Sequence, residues 1–170
     1  MQQALLGLLA EMPLEAITGA GIAERAGVGY ATFFRHYADV RALLVDTVTA
    51  LADDMAMGVM PALLAADSSG AAIALVEGVS ARRAVFSALL AGAGDALRAE
   101  LARQVIERLA ELPNLAPSWL PRRLATRIAV MSTIELLDWW LRDEPDRDPG
   151  EVAVLLDRLV IDRLTEASQR

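Results

Sequence analysis

The chain contains no cysteine, no lysine and only one histidine, His36. The missing cysteines exclude disulfides, thiolate catalysis and cysteine-type zinc sites. A lone histidine excludes a multi-histidine metal site within one chain, so no metal and no cofactor is expected. No uninterrupted apolar run approaches the roughly 18 residues that a membrane-spanning helix requires, so no membrane association is expected. The opening MQQALLGLLAEMPLEA lacks a basic stretch and a convincing cleavage site, which argues against a signal peptide and makes a cytoplasmic location the expectation. Basic charge is also short. Sixteen arginines face 23 carboxylates, for a formal charge of −7, so bulk charge does not draw this chain to nucleic acid.

What is abundant is apolar and helix-forming. Apolar residues make up 55% of the chain, which excludes a disordered protein. Alanine and leucine dominate and β-branched runs are scarce, so the expected class is all-α. Leu5, Leu8, Leu9 and Met12 share one face of a helix over 4–12. Thr18 is placed to cap a helix reaching about 26, Gly27 supplies a turn, and 29–37 forms the next helix. Asp39 caps a long helix ending near 57–58, with a short helical turn over 61–66. Residues 67–70 read as loop, followed by helices over 71–79, 81–91 and 95–112 with a Gly-Ala-Gly break before the last. In that last helix Leu97, Leu101, Val105 and Leu109 form a stripe. Ser118 caps a helix to about 142, and a final helix covers 150–167. The expectation is about nine helices and no strand.

Two short helices joined at a glycine bend, followed at once by a longer helix, match the layout of a helix-turn-helix DNA reader. Its second helix, 29–37, enters the major groove while the first braces it. Phe33 and Tyr37, four residues apart, point toward a small core. Tyr30, Ala31, Thr32, Arg35 and His36 are left for the outer face, where threonine and arginine can meet phosphates or base edges. An ordinary α-hairpin corner has the same spacing, so spacing alone does not decide between them.

Residue identities go further. The string IAERAGVGYATFFRHYADVRALL resembles the N-terminal domain of the tetracycline-repressor (TetR) family of regulators, through Thr18, Ile22, Ala23, Ala26, Gly27, Val28, Thr32, Phe33, Arg35, His36, Tyr37, Leu43 and Leu44. The match is specific over some 30 residues; beyond them only the helical layout and the Trp139-Trp140 pair are similar. The resemblance implies an all-α homodimer with a three-helix DNA-binding domain over 1–45 and a ligand-binding and dimerisation domain over 46–170. It implies operator DNA and a small-molecule effector as partners, and dimerisation through the last two helices. The DNA-contacting set expected on this basis is Thr18, Gly29, Tyr30, Ala31, Thr32, Arg35, His36, Tyr37 and Arg41. Effector binding is expected to change the separation of the two readers.

The chain departs from that family where phosphates are held. A tyrosine commonly follows the position of Phe33; here it is Phe34, without a hydroxyl. A lysine commonly opens the fourth helix; here it is Val40. Met1-Gln2-Gln3 brings no positive side chain, and Ala20 stands where a basic residue is frequent. Over residues 1–50, Arg25, Arg35 and Arg41 face Glu11, Glu15, Glu24, Asp39 and Asp46, a net of −2. These absences predict weaker operator binding than is usual for the family.

Catalysis has little to stand on. Ser80, Ser87 and Ser132 lack a nucleophile-elbow setting, and Glu135 with Asp138 reads as a solvated helix face; the chain is not expected to be an enzyme. Met55, Met57, Met60, Phe86, Met131 and Trp139 are candidates to line an apolar effector pocket. Glu135 either faces a cationic ligand there or pairs with an arginine across a dimer. Ligand-binding residues are therefore expected at Met55, Phe86, Met131, Glu135 and Trp139. Leu124, Ile128 and Met131, with Val152, Leu156, Leu159 and Arg163, form the expected dimer stripes. The leading reading is a ligand-responsive transcriptional regulator, a repressor. The alternative is a small-molecule-binding protein of the same fold that has weakened or lost DNA binding.

Overall fold

In the computed structural model, residues 1–91, 95–112 and 114–165 are described, and every regular element among them is helical. Capping sets where the N-terminal helices begin. Helix α1 covers Gln2–Leu9, and a single 3-10 turn follows at Leu14–Ala16. Helix α2, Gly19–Arg25, starts where the Thr18 side chain accepts from the Gly21 N–H at 3.1 Å. Gly27 then turns the chain at φ +67°, a left-handed conformation that a β-carbon disfavours. Helix α3, Tyr30–His36, follows. Helix α4, Val40–Leu64, starts at Asp39, which accepts from the Ala42 N–H at 2.7 Å. Each such cap stabilises its helix by about 1 kcal/mol.

Phe33 is the centre of the first core. It is fully buried among Leu5, Ile22, Leu43 and Leu44. Gly19 lets α2 approach α3 closely, since a β-carbon there would stand 2.9 Å from the Phe33 ring. Leu89 from a later helix belongs to the same cluster, so this small core is closed from the C-terminal side.

The remaining helices are α5 (Ser68–Ala81), α6 (Arg83–Ala91), α7 (Asp95–Leu109), α8 (Arg122–Arg142) and α9 (Pro149–Leu156). The last continues through a π-helical turn at Asp157–Ile161 into helical Asp162–Thr165. A second core fills the space between α4, α5, α8 and α9, around the fully buried Trp140, Val76, Val79, Val152 and Leu156. The Trp140 indole N–H donates to the Arg147 carbonyl at 3.2 Å, and the Arg83 guanidinium lies 4.7 Å above the ring. Asp138, nearly buried on α8, is held by Arg98 of α7 at 3.3 Å and Arg142 at 2.9 Å.

Three boundaries differ from the sequence reading. Helix α4 does not stop near residue 58 but runs through Pro61. Proline removes a helical hydrogen bond, yet its ring is exposed while Val59, Ala62 and Leu63 pack on the second core, and that burial holds the last turn. Residues 68–70 are not loop, because Asp67 caps α5 by accepting from the Gly70 N–H at 2.8 Å. Ser118 caps nothing, and α8 opens after Pro121. Residues 92–94, the Leu97 and Leu101 side chains of the α7 stripe, and the final turn expected over 166–167 lie outside the described residues.

Candidate DNA interface and effector cavity

Helix α3 turns Phe33 inward and therefore presents the opposite face to solvent. Tyr30, Ala31, Arg35 and His36 are exposed there, Gly29 is exposed at the N-cap, and Arg41 is exposed as the second residue of α4. Thr32 is half-buried and accepts from Arg35 Nη2 at 3.3 Å. Thr18 is exposed, but its hydroxyl oxygen is engaged in capping α2. Eight of the nine residues expected at a DNA surface thus lie along the outward side of α3 and the two adjoining helix starts, whereas Tyr37 is half-buried against the first core.

The charge on this side is more constrained than the sequence implies. Arg25 is taken by Glu11, with both guanidinium nitrogens on the carboxylate at 2.6 and 2.7 Å. That bond raises the arginine's affinity for its proton and holds the Glu11 carboxyl below its ordinary value. Among the described residues, Arg35 and Arg41 have no carboxylate partner. The Tyr37 hydroxyl does not reach outward. It donates to Asp46 Oδ2 at 2.6 Å, an oxygen that also accepts from the Gln2 side chain at 2.9 Å. The bond to Asp46, burial and the nearby negative charge, in that order, raise the Tyr37 pKa above the usual phenol value. Phe34 is half exposed and stacks edge-on against Tyr30 at 4.8 Å, leaving an apolar patch where a hydroxyl was expected to be missing.

Behind the reader, α4, α5, α6, α7 and α8 line a partly open apolar cavity of about 250 Å³. Met55 and Met60 line it from α4, Val79 from α5, Phe86 and Leu90 from α6, and Val105 from α7. Leu89, part of the first core, also lines it, so α6 is a wall shared by cavity and reader.

No family profile and no curated protein sequence matches the chain. Solved structures do. The fatty acid degradation regulator FadR from Bacillus halodurans superimposes with a TM-score of 0.68 at 17% identity, over 94% of this chain and 92% of that one. The TetR-family repressor AlkX from a Dietzia species, implicated in n-alkane biodegradation, gives 0.66 at 19% identity over 98% and 96%. Thermus thermophilus FadR, solved with lauroyl-CoA, gives 0.63 at 18% identity over 96% and 92%. The fold is that of the TetR-family regulators.

Within this TetR-type fold the five expected ligand residues part company. Met55 and Phe86 line the cavity. Met131, Glu135 and Trp139 are not among its lining residues. Helix α8 directs Val130, Ile134 and Leu137 inward, so Met131 and Glu135 emerge on its outer side. Trp139 packs on the second core under the Arg147 guanidinium, 5.3 Å from its ring. Glu135 is exposed and has no partner within the chain among the described residues.

The dimer stripes are corrected in part as well. Leu124, Ile128 and Met131 are nearly half exposed, whereas Val152 and Leu156 are fully buried within the chain. Leu159 and Arg163 of the expected stripe do face outward, and Val154, five residues before Leu159, is exposed as well. Leu159 itself lies within the π-helical turn Asp157–Ile161. Sequence reasoning also missed Asp46 as the partner of Tyr37 and the α7 contribution to the cavity. Both depend on helices meeting across the fold and leave no local signal.

Proposed function

We propose that this protein is a one-component transcriptional regulator of the TetR family, a repressor that binds operator DNA as a homodimer and responds to a small-molecule effector. Residues 1–45 serve as the reader and residues 46–170 as the effector-binding and dimerisation part. The observation that carries the reading is the shared wall. Leu89 of α6 is buried in the reader core and also lines the cavity, so a ligand that fills the cavity acts directly on the seating of α1 and α4. The neighbour bound to lauroyl-CoA supports an effector with an apolar chain. The exposed Leu124, Ile128 and Met131 of α8, beside Val154 and Leu159, support pairing with a second copy through the last two helices.

A gel shift with DNA flanking the gene, run over a series of salt concentrations, tests this. A retarded complex with two protomers per site supports it; no complex even at low salt overturns it. One observation favours the second reading, a ligand-binding protein that has lost operator affinity. The Tyr37 hydroxyl is tied to Asp46 and Arg25 to Glu11, so two groups suited to phosphate are already engaged.

A further inference from the structure

The apolar cavity abuts a second, smaller hollow of about 130 Å³. Met60, Leu63, Leu109 and Ala129 line both. The two differ in polarity. Among the described residues, Thr133 is the only polar one around the larger space. The smaller one adds Asn114, Thr126 and Arg122.

Arg122, the first residue of α8, is half-buried. Its Nη2 donates to the carbonyls of Ala110, at 2.5 Å, and Leu112 at the end of α7. These bonds fix the side chain but leave its charge uncancelled. Among the described residues no carboxylate pairs with it, and its Nε and Nη1 make no hydrogen bond. Arg25, Arg82, Arg98, Arg108, Arg142 and Arg147 each hold a carboxylate. In a chain with seven more acids than bases, an uncompensated arginine beside an apolar chamber stands out.

We infer that the effector is a straight-chain carboxylate, with its tail in the larger chamber and its head group on Arg122 Nη1. A charge-assisted bond of this kind needs only the two free N–H groups on that nitrogen. Volume sets the length. A cavity of roughly 150 Å³ takes a six-carbon ring, so the larger chamber takes about ten carbons, and the smaller one takes the carboxylate with a few more. The acids that fit have about 10 to 14 carbons. The inference deepens the effector-binding reading above and rests on it.

The test uses the full chain without DNA, so it fails or succeeds separately from operator binding. Calorimetric titrations are run with hexanoate, decanoate, dodecanoate, octadecanoate and 1-dodecanol. Each methylene added from hexanoate to dodecanoate raises affinity about fourfold, octadecanoate gains nothing further, and dodecanol binds at least about tenfold more weakly than dodecanoate. Arg122→Gln removes the difference between acid and alcohol while leaving the alcohol's affinity unchanged, which also reports that the variant is folded. Equal affinity of the wild type for acid and alcohol overturns the head-group assignment without using a variant. An affinity that keeps rising to octadecanoate overturns the length. No binding by any of the five overturns the inference entirely, and a gel shift that still forms leaves the regulator reading standing.

Discussion

Replacing Asp46 with alanine is expected to strengthen DNA binding, although no group that touches DNA is changed. In the free protein the Tyr37 hydroxyl donates to Asp46 at 2.6 Å, and that carboxylate also holds Gln2. Asp46→Ala frees the hydroxyl for a phosphate. A net hydrogen bond is worth about 1 kcal/mol, so a dimer gains about 2 kcal/mol, or roughly thirtyfold in affinity. Asp46 is exposed, which limits the folding cost to about 1 kcal/mol. Part of the gain should also depend on salt, because the substitution removes a negative charge close to the phosphate that the hydroxyl would reach. Fluorescence anisotropy with operator DNA at several salt concentrations reads both quantities. The expected result is tighter binding at every salt concentration, with the hydroxyl's share of the gain lost again in the double variant with Tyr37→Phe. Unchanged or weaker binding by a variant that melts as a folded protein would refute the reasoning.

Three further outcomes are expected. Phe33→Ala empties the centre of the reader core, and with Phe33 fully buried it should cost about 3–5 kcal/mol in denaturant unfolding; a loss below about 1 kcal/mol would show that the core is not organised around this ring. Ile128→Glu puts a charge on the exposed apolar stripe of α8 and should convert a dimer to a monomer in sedimentation, whereas an unchanged dimer would place the interface elsewhere. Tyr37 holds its proton more tightly in the folded state than in the unfolded one. Its stabilising contribution is therefore intact below the ordinary phenol value of about 10 and is lost as pH rises through the higher folded value. In an ultraviolet titration, Asp46→Ala should bring the Tyr37 ionisation down; an unmoved titration would contradict the role given to Asp46.

Local chemistry made the reader legible before any coordinates. Thr18 and Asp39 cap the helices they were expected to cap, Gly27 takes the positive φ expected of the turn, and Phe33 is the buried residue of α3. Each of these rests on residues within a few positions of one another. Where burial competes with local preference, the sequence reading fell short. Pro61 reads as a stop, but the residues around it pack on the second core and keep α4 helical. The apolar face of the last helix was visible, but not which part of it would be covered by α5 within the same chain. Val152 and Leu156 went inward, leaving Val154 and Leu159 outside. The cavity was hardest to see, because its lining comes from five helices with no shared spacing. Met131 and Glu135 were grouped with it for their chemistry, yet α8 carries them on its other side.

The central claim is that this TetR-type fold still reads DNA as a pair. Footprinting on the DNA flanking the gene, at low salt and over a range of protein concentrations, tests it most directly. Protection is expected over two half-sites of a palindrome, spaced by about one helical turn of 10 base pairs or a multiple of it. The footprint should be lost on adding dodecanoate. Absence of any protected segment at every concentration would contradict it.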